Sequence, residues 1–400
     1  MKYPFWFNFL ARFRGFASAA RIQFLSESKL HLFYLGILCI MGVVGFVVSP
    51  YHSKTRGAFF FMGLVTYGVT VALIDSPRRL SQAFGLLSLL GLAITLIGAA
   101  GTNWSISKLA AISALSGSIP TAPALSLALI GAPGGIHPNE VAGMLTLYVP
   151  PLFGFVLFGG RAAVLARPRR AFSILIGIVL SLMAIYLALS LSRAALLGLG
   201  VAVILLLWMR RREWGAAAVG AIPLAVLGAY FFLPSGMLDA IVSSALSTFT
   251  GSGETRTEIW RQAVQAIANA PLTGIGLANF PVIFRYNIYL PPNWPFPIVH
   301  AHNVFLQAAL DLGLPGAVAF ALLLADIAWH ALRAGRRLEG AAAGVCCGLG
   351  AALLAFGVFG MFDAIQLTSP IAWLIWYVIG MGGAAARIGG QFITHDSSYG

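Results

Sequence analysis

The sequence predicts an all-α, polytopic integral membrane protein with ten to twelve transmembrane helices. Three observations carry this expectation. Of the 400 residues, 59% are hydrophobic and only 9% charged, and the mean hydropathy is +0.88; a water-soluble domain is not built from such a mixture. Apolar runs of about 20 residues, the length that crosses a bilayer as a helix, recur along the chain. The runs are unbroken mixtures of Leu, Ala, Gly, Val and Phe, unlike the short alternating segments of a transmembrane β-barrel.

The expected spans are 31–49, 57–75, 80–100, 140–160, 172–191, 194–209, 215–233, 304–332, 340–362 and 368–387. Basic patches recur at every second junction: Arg12, Arg14 and Arg21; Arg78 and Arg79; Arg167, Arg169 and Arg170; Arg210 to Arg212; Arg333, Arg336 and Arg337. Such patches mark cytoplasmic loops. Both termini then lie in the cytoplasm and the number of spans is even. The segment 101–139 is ambiguous, because one span through the apolar run 105–131 breaks the parity. It must hold two short or re-entrant helices, or none that cross. Residues 1–29 are basic and aromatic without a cleavable signal pattern, so the first apolar run reads as a retained span.

The chain divides into N-terminal membrane helices (1–233), a lid loop on the outer side (234–303), C-terminal membrane helices (304–387) and a cytoplasmic tail (388–400). The lid is too short for an independent domain. Within it, Thr250 or Ser252 can cap a helix over about 254–269 that Pro271 ends. Its last part, LPPNWPFPIVHAHN, is stiffened by four prolines. Cys39, Cys346 and Cys347 all sit in apolar runs and read as packing residues, not a disulfide or metal framework.

A formal net charge of +13 raises the question of nucleic acid. The basic residues are distributed as inter-helix patches, which excludes that partner in favour of membrane lipid. Seven of the 25 Lys and Arg fall on the outer side against this bias: Lys54, Arg56, Lys108, Arg193, Arg256, Arg261 and Arg285. These need a separate account.

The densest chemistry is in HAHNVFLQAALDLGLPG, residues 300–316. His300 and His302 precede an apolar helix along which Asn303, Gln307 and Asp311 recur at a spacing of four. Polar groups are costly inside a membrane and mark function when they persist. His302 can serve as a base near neutral pH, with His300, Asn303, Gln307 and Asp311 in support. On the lid helix, Arg256, Trp260, Val264 and Ile267 share one face by the three-and-four rule. Arg256 lies in the first turn, where free N–H groups and a guanidinium together suit a diphosphate. Its plainer reading is an ion pair with Glu254 or Glu258. Arg193 interrupts an apolar stretch at the outer end of two spans, as an anion ligand or an interfacial anchor. Arg285 sits among aromatics and either binds phosphate or stacks on Tyr286 or Tyr289. The outer carboxylates Glu140, Asp239, Glu254, Glu258 and Asp363 are scattered, with no metal-ligand spacing. Metal-independent chemistry without a cofactor is expected. The GIG at 274–276 reads as a turn.

In this order along a polytopic chain, Arg193 after a serine, Arg256 with Trp260, PLTGIGLANF (271–280) and HAHNVFLQAALDLGLPG resemble bacterial O-antigen ligases and related polymerases. The resemblance covers about residues 140–365. It implies twelve spans, a large periplasmic loop with short amphipathic helices, and a site facing the periplasm of the bacterial inner membrane. It also implies transfer of a glycan from undecaprenyl diphosphate to a sugar hydroxyl of lipid A–core. His302 is then the catalytic residue, and Arg193, Arg256 and Arg285 hold the diphosphate. An O-antigen polymerase is the nearest alternative. A transporter or flippase for a lipid-linked sugar is the alternative of another class, and it predicts internal repeats and helices broken near mid-membrane. Neither is legible in the sequence.

Overall fold

The computed structural model of the chain describes residues 29–49, 54–104, 125, 134–165, 167–232, 254–285 and 299–396. Twelve helices lie among them: α1 (Lys29–Val48), α2 (Lys54–Leu73), α3 (Pro77–Gly101), α4 (Pro138–Leu165), α5 (Arg167–Ser190), α6 (Arg193–Arg210), α7 (Arg212–Phe232), α8 (Glu254–Asn269), α9 (Phe280–Arg285), α10 (Val304–Arg337), α11 (Gly340–Gly360) and α12 (Trp373–Asp396). Among the described residues the only β pairing is one isolated bridge, Thr102 to Ile136. The chain is an all-α polytopic membrane protein.

Eight of these helices are long and apolar enough to cross a membrane: α1 to α6, α10 and α11. Helices α7 and α12 occupy the other two expected spans. Helix α12 mixes tryptophan, tyrosine, glycine and Arg387 into its apolar run. Its residues from Trp376 to Ala385 are buried, so it faces protein and has less need of a lipid-like surface. Trp376 sits edge-on to Phe60 and Tyr67 of α2 and Phe320 of α10. At the far end of α12, Arg387 Nη2 donates to the carbonyls of Val71 and Ile74, at 2.9 and 2.7 Å. It thereby covers carbonyls that the end of α2 leaves without helical partners.

At the centre, α11 packs against α4, α6 and α10, while α10 also packs against α1 and α12. Helix α11 is largely Gly and Ala, and its backbone approaches its neighbours closely. A Cβ on Gly344 would lie 2.1 Å from the carbonyl oxygen of Gly154. Small residues let helices meet where no hydrophobic drive separates protein from lipid. Cys346 and Cys347 are buried in this seam, in keeping with their reading as packing residues.

Three expectations need correction or qualification. The span expected at 304–332 is broken: Gly313 has φ 68 and ψ 173, followed two residues later by Pro315. The loop after α8 fills the break. Leu314 N donates to Pro271 O (2.8 Å), and Ile275 N donates to Leu310 O (2.7 Å). The same loop reaches α1, where Leu277 N donates to Gly45 O (3.0 Å) and Ser49 Oγ to Leu277 O (2.6 Å). Gly274 and Gly276 both have positive φ, as the expected GIG turn requires. PLTGIGLANF therefore fastens the lid to the bundle. Secondly, Val264 does not share the buried face of α8. It is 55% exposed, and Ile259, Ala263, Ala266 and Ile267 form that face. Thirdly, most of 101–139, the capping residues Thr250 and Ser252, and the proline-rich approach 286–298 lie outside the described residues.

The break in α10 tests the tight fit directly. A Cβ on Gly313 would lie 2.2 Å from Leu272 O, on a backbone that L residues rarely adopt. Gly313→Ala should destabilise the protein by about 2 kcal/mol or more. Gly68, in α2, has nothing within 4 Å of its Cβ position, so Gly68→Ala should be neutral or slightly stabilising. Thermal unfolding in detergent compares the two, and equal melting of both variants would contradict the packing described.

Candidate functional site

One end of the bundle gathers the ends of α3, α5 and α11, the starts of α4, α6, α10 and α12, and the lid helix α8. The basic junctions at Arg78 and Arg79, at Arg167, Arg169 and Arg170, at Arg210 to Arg212 and at Arg333, Arg336 and Arg337 lie at the other end. At the gathered end the segment 300–303 enters α10. Asn303 caps that helix: its Oδ1 accepts from Phe305 N (2.9 Å) and Leu306 N (3.0 Å). Its amide also donates to Met361 O at 3.0 Å. Gln307 Oε1 accepts from Ala301 N (3.0 Å), and Gln307 Nε2 donates to Asp311 Oδ1 (3.0 Å). Trp260 Nε1 donates to Ala301 O (2.9 Å). The polar line seen in the sequence thus holds the histidine segment from below, and Trp260 holds it from the lid.

The two histidines have different surroundings. His300 is buried, and its Nδ1 accepts from His302 N at 3.1 Å. Its hydrogen therefore sits on Nε2 and the ring is neutral. Burial, followed by the neighbouring His302, pushes its pKa down to about 3. His302 has φ 48, an uncommon backbone for a β-carbon-bearing residue. Its side chain is 30% exposed, and its Nδ1 lies 3.2 Å from Asp363 Oδ1. The rings stand at a steep angle with centroids 4.3 Å apart.

Asp363 is the residue that sequence reasoning missed. In the sequence it stands among scattered carboxylates, yet it joins four parts of the fold. Asn139 Nδ2 donates to Oδ2 (3.0 Å), Ala364 N donates to Oδ1 (2.9 Å), and Arg256 Nη2 is 3.9 Å from Oδ2. Burial opposes ionisation, but the His302 hydrogen bond and the charges around it outweigh burial and hold the carboxyl well below the usual range. One signal was available: between Glu339 and Arg387, Asp363 is the only charged residue.

Arg256 is half-buried, and its Nη1 donates to Phe362 O at 2.8 Å. The local ion pair with Glu258 is not formed, because Glu258 accepts from Arg261 (2.6 and 2.8 Å) and Gln262 (2.6 Å). A guanidinium has five donors, and these contacts use only part of the fork. Arg193 begins α6, and Arg256 acts on it electrostatically. Arg256 thus flanks the His302–Asp363 pair, and Arg193 lies within electrostatic reach of Arg256. Glu140, in the first turn of α4, lies within electrostatic reach of Asp363. The side chain of Arg285, at the end of α9, lies outside the described residues, as do Tyr286 and Tyr289.

His300, His302 and Asp363 place ligand-capable atoms within 4.8 Å of one another. The expectation of no metal ligands clustering is therefore not met in geometry. Two features weigh against a cation there: Nδ1 of His300 is occupied by a backbone N–H, and Arg256 already balances the carboxylate.

Surroundings of this kind, an imidazole oriented by a buried carboxylate beside the Arg256 guanidinium, suit transfer chemistry on an anionic lipid. Residues 178–321 match the family model Wzy_C, O-antigen ligase. Residues 178–321 are thus similar to the O-antigen ligase family. The match spans Arg193, Arg256, His300 and His302 and stops before Asp363. No curated protein matches the chain. This similarity supports an O-antigen ligase or polymerase type of role in lipopolysaccharide biosynthesis, with an enzyme of the glycosyltransferase kind.

The neutral, buried His300 makes a signed prediction about pH. Its folded pKa of about 3 lies below the unfolded value near 6.5. Stability from this group is fully present above pH ~6.5 and is lost as pH falls towards 3. Asp363, also depressed, adds its own loss only below pH ~4. Melting temperature should therefore fall between pH 7.5 and 5 in the wild type, and His300→Asn should flatten that slope. An unchanged slope in the variant would show that His300 is not the titrating group.

Proposed function

We propose that the protein transfers an O-antigen glycan from undecaprenyl diphosphate to a sugar hydroxyl of lipid A–core, with inversion and without a metal. The supporting observation is the contact between His302 Nδ1 and Asp363 Oδ1. A carboxylate on Nδ1 fixes the tautomer and leaves Nε2 as the nitrogen that takes a proton. The acceptor O–H gives its proton to His302 Nε2 as its oxygen attacks the anomeric carbon. The bond from that carbon to the phosphate oxygen breaks, and undecaprenyl diphosphate leaves. Asp363 stabilises the imidazolium that forms. Arg193, Arg256 and Arg285 bind the diphosphate and offset the charge that grows on it.

Asn303, Gln307, His300, Trp260 and Asp311 hold the His302 segment in this reading and do not touch the reacting atoms. The basic junctions place the end opposite the site in the cytoplasm, which sets both termini there and turns the site to the periplasm of the inner membrane. A carrier of lipid-linked sugars is disfavoured. Although α10 is broken, backbone from the 271–275 loop fills the break. The groove beside it, about 340 Å³, is lined by Phe33, Tyr34, Leu272, Leu314 and Pro315 and offers no polar path.

His302→Ala should lower transfer by roughly 100-fold or more while the protein still inserts and folds. Asp363→Asn should also lower it, with kcat falling more than KM rises, because the acceptor proton loses its oriented base. Arg256→Lys should weaken donor use and not restore a bidentate contact. Reconstitution with undecaprenyl-diphosphate glycan and purified lipid A–core, with and without EDTA, measures all three. Product only with lipid A–core identifies a ligase; a lengthened donor without it identifies a polymerase. Loss of activity in EDTA removes the metal-free mechanism.

A further inference from the structure

A second polar cluster lies far from the candidate site, towards the opposite end of the bundle. His31 is in the first turn of α1, while Asp326 and His330 are four residues apart on α10, so they share one face. His31 Nε2 is 2.7 Å from Asp326 Oδ2, and His330 Nδ1 is 3.1 Å from Asp326 Oδ1. The imidazole rings meet edge to face with centroids 5.9 Å apart. The His31 and Asp326 side chains are only 10% and 15% exposed, whereas His330 is 44% exposed. The cluster is therefore enclosed by protein on one side and open on the other. No step of the proposed transfer uses it.

We propose that His31, Asp326 and His330 form a binding site for a divalent transition-metal ion of the zinc type, which clamps α1 to α10. Two imidazoles and one carboxylate are a zinc donor set, and a fourth position is left for water on the exposed His330 side. The ligand-capable atoms lie within 4.8 Å of one another. In a tetrahedral site with bonds of about 2.0–2.1 Å the donor atoms are about 3.3–3.5 Å apart. Adjustments of a few tenths of an ångström to about an ångström reach that geometry. The sequence spacing supplies the rest: a carboxylate and a histidine at i and i+4 present their ligands from successive turns. His330 Nδ1 also lies 2.9 Å from Asp326 O, so the cluster has an alternative in hydrogen bonds alone. Metal binding requires each ring to be neutral and to carry its hydrogen on the nitrogen that does not face the ion; a ring that holds a second proton releases it to solvent as the ion binds, and no oxidation is involved. An aspartate on a membrane-spanning helix is costly without a partner, and an ion shared with two rings supplies one while tying two helices together.

The test uses the full chain purified in detergent and stripped with a chelator. His302→Ala is the background, so that the cluster at the other end loses a ligand. Zinc is added, excess is removed, and bound metal is measured by mass spectrometry alongside the melting temperature. About one equivalent should be retained, and melting should shift upward with zinc. Adding His31→Gln, Asp326→Asn or His330→Gln should weaken binding by roughly tenfold or more and abolish the zinc-dependent shift. His330→Gln decides the matter if either buried substitution prevents folding, because its side chain is half-exposed. Retention of zinc unchanged in His330→Gln, or no retention in the background protein, would overturn the proposal and leave a hydrogen-bonded clasp.

Discussion

The buried carboxylate of Asp363 is the constraint on which the arrangement at the candidate site depends. An ionised carboxylate removed from water is tolerated only when donors surround it. Here they come from Asn139 on α4, Arg256 on α8, His302 ahead of α10 and the backbone of Ala364. Four parts of the chain separated by long stretches of sequence must therefore meet at one point. Removing any one donor leaves the others facing an incompletely paired charge. The same charge orients His302, so the electrostatic need of the fold and the orientation of the imidazole are one requirement.

The lid depends on a second device, the break in α10. A continuous helix at Gly313 would leave the loop 271–277 without its backbone partners. The break exposes Leu310 O and Leu314 N to that loop. Through Leu277 the loop then reaches the end of α1. Helix α8 is thereby held at its C-terminal end by backbone hydrogen bonds and at its N-terminal end by Arg256 on Phe362 and Asp363. A lid fixed at both ends keeps Arg256 within a few ångströms of the carboxylate, which is what a preorganised anion site requires.

The spans were legible in the sequence because the bilayer acts locally: each stretch must satisfy its own backbone and present apolar side chains. Residues 300–311 were legible for the same reason, since polar groups stand out against Leu and Ala. Asp363 was overlooked because its meaning is non-local; nothing near it in the chain names Asn139 or His302 as partners. Its isolation in a long uncharged stretch was the one local hint. The break at Gly313 was hidden by its apolar neighbours, although Gly313, Pro315 and Gly316 together carry the chemistry of a helix interruption. Val264 was misplaced because three-and-four spacing names several faces at once, and packing against α10 selects the one through Ile259 and Ala263.

Helix α10 carries polar side chains at two levels, and their neighbours separate two uses of the same residue types. At its start, Gln307 and Asp311 are buried at 3% and 2% and bond to each other and to Ala301. They are supports for a histidine segment whose own ring remains partly exposed. Towards its end, the Asp326 carboxylate lies 2.7 and 3.1 Å from two imidazole rings, one enclosed and one open. In both places a buried polar group holds a more exposed imidazole, so rigidity beneath and access above occur together. That division is how a membrane protein can keep titratable groups at its surfaces without exposing unpaired charge to lipid.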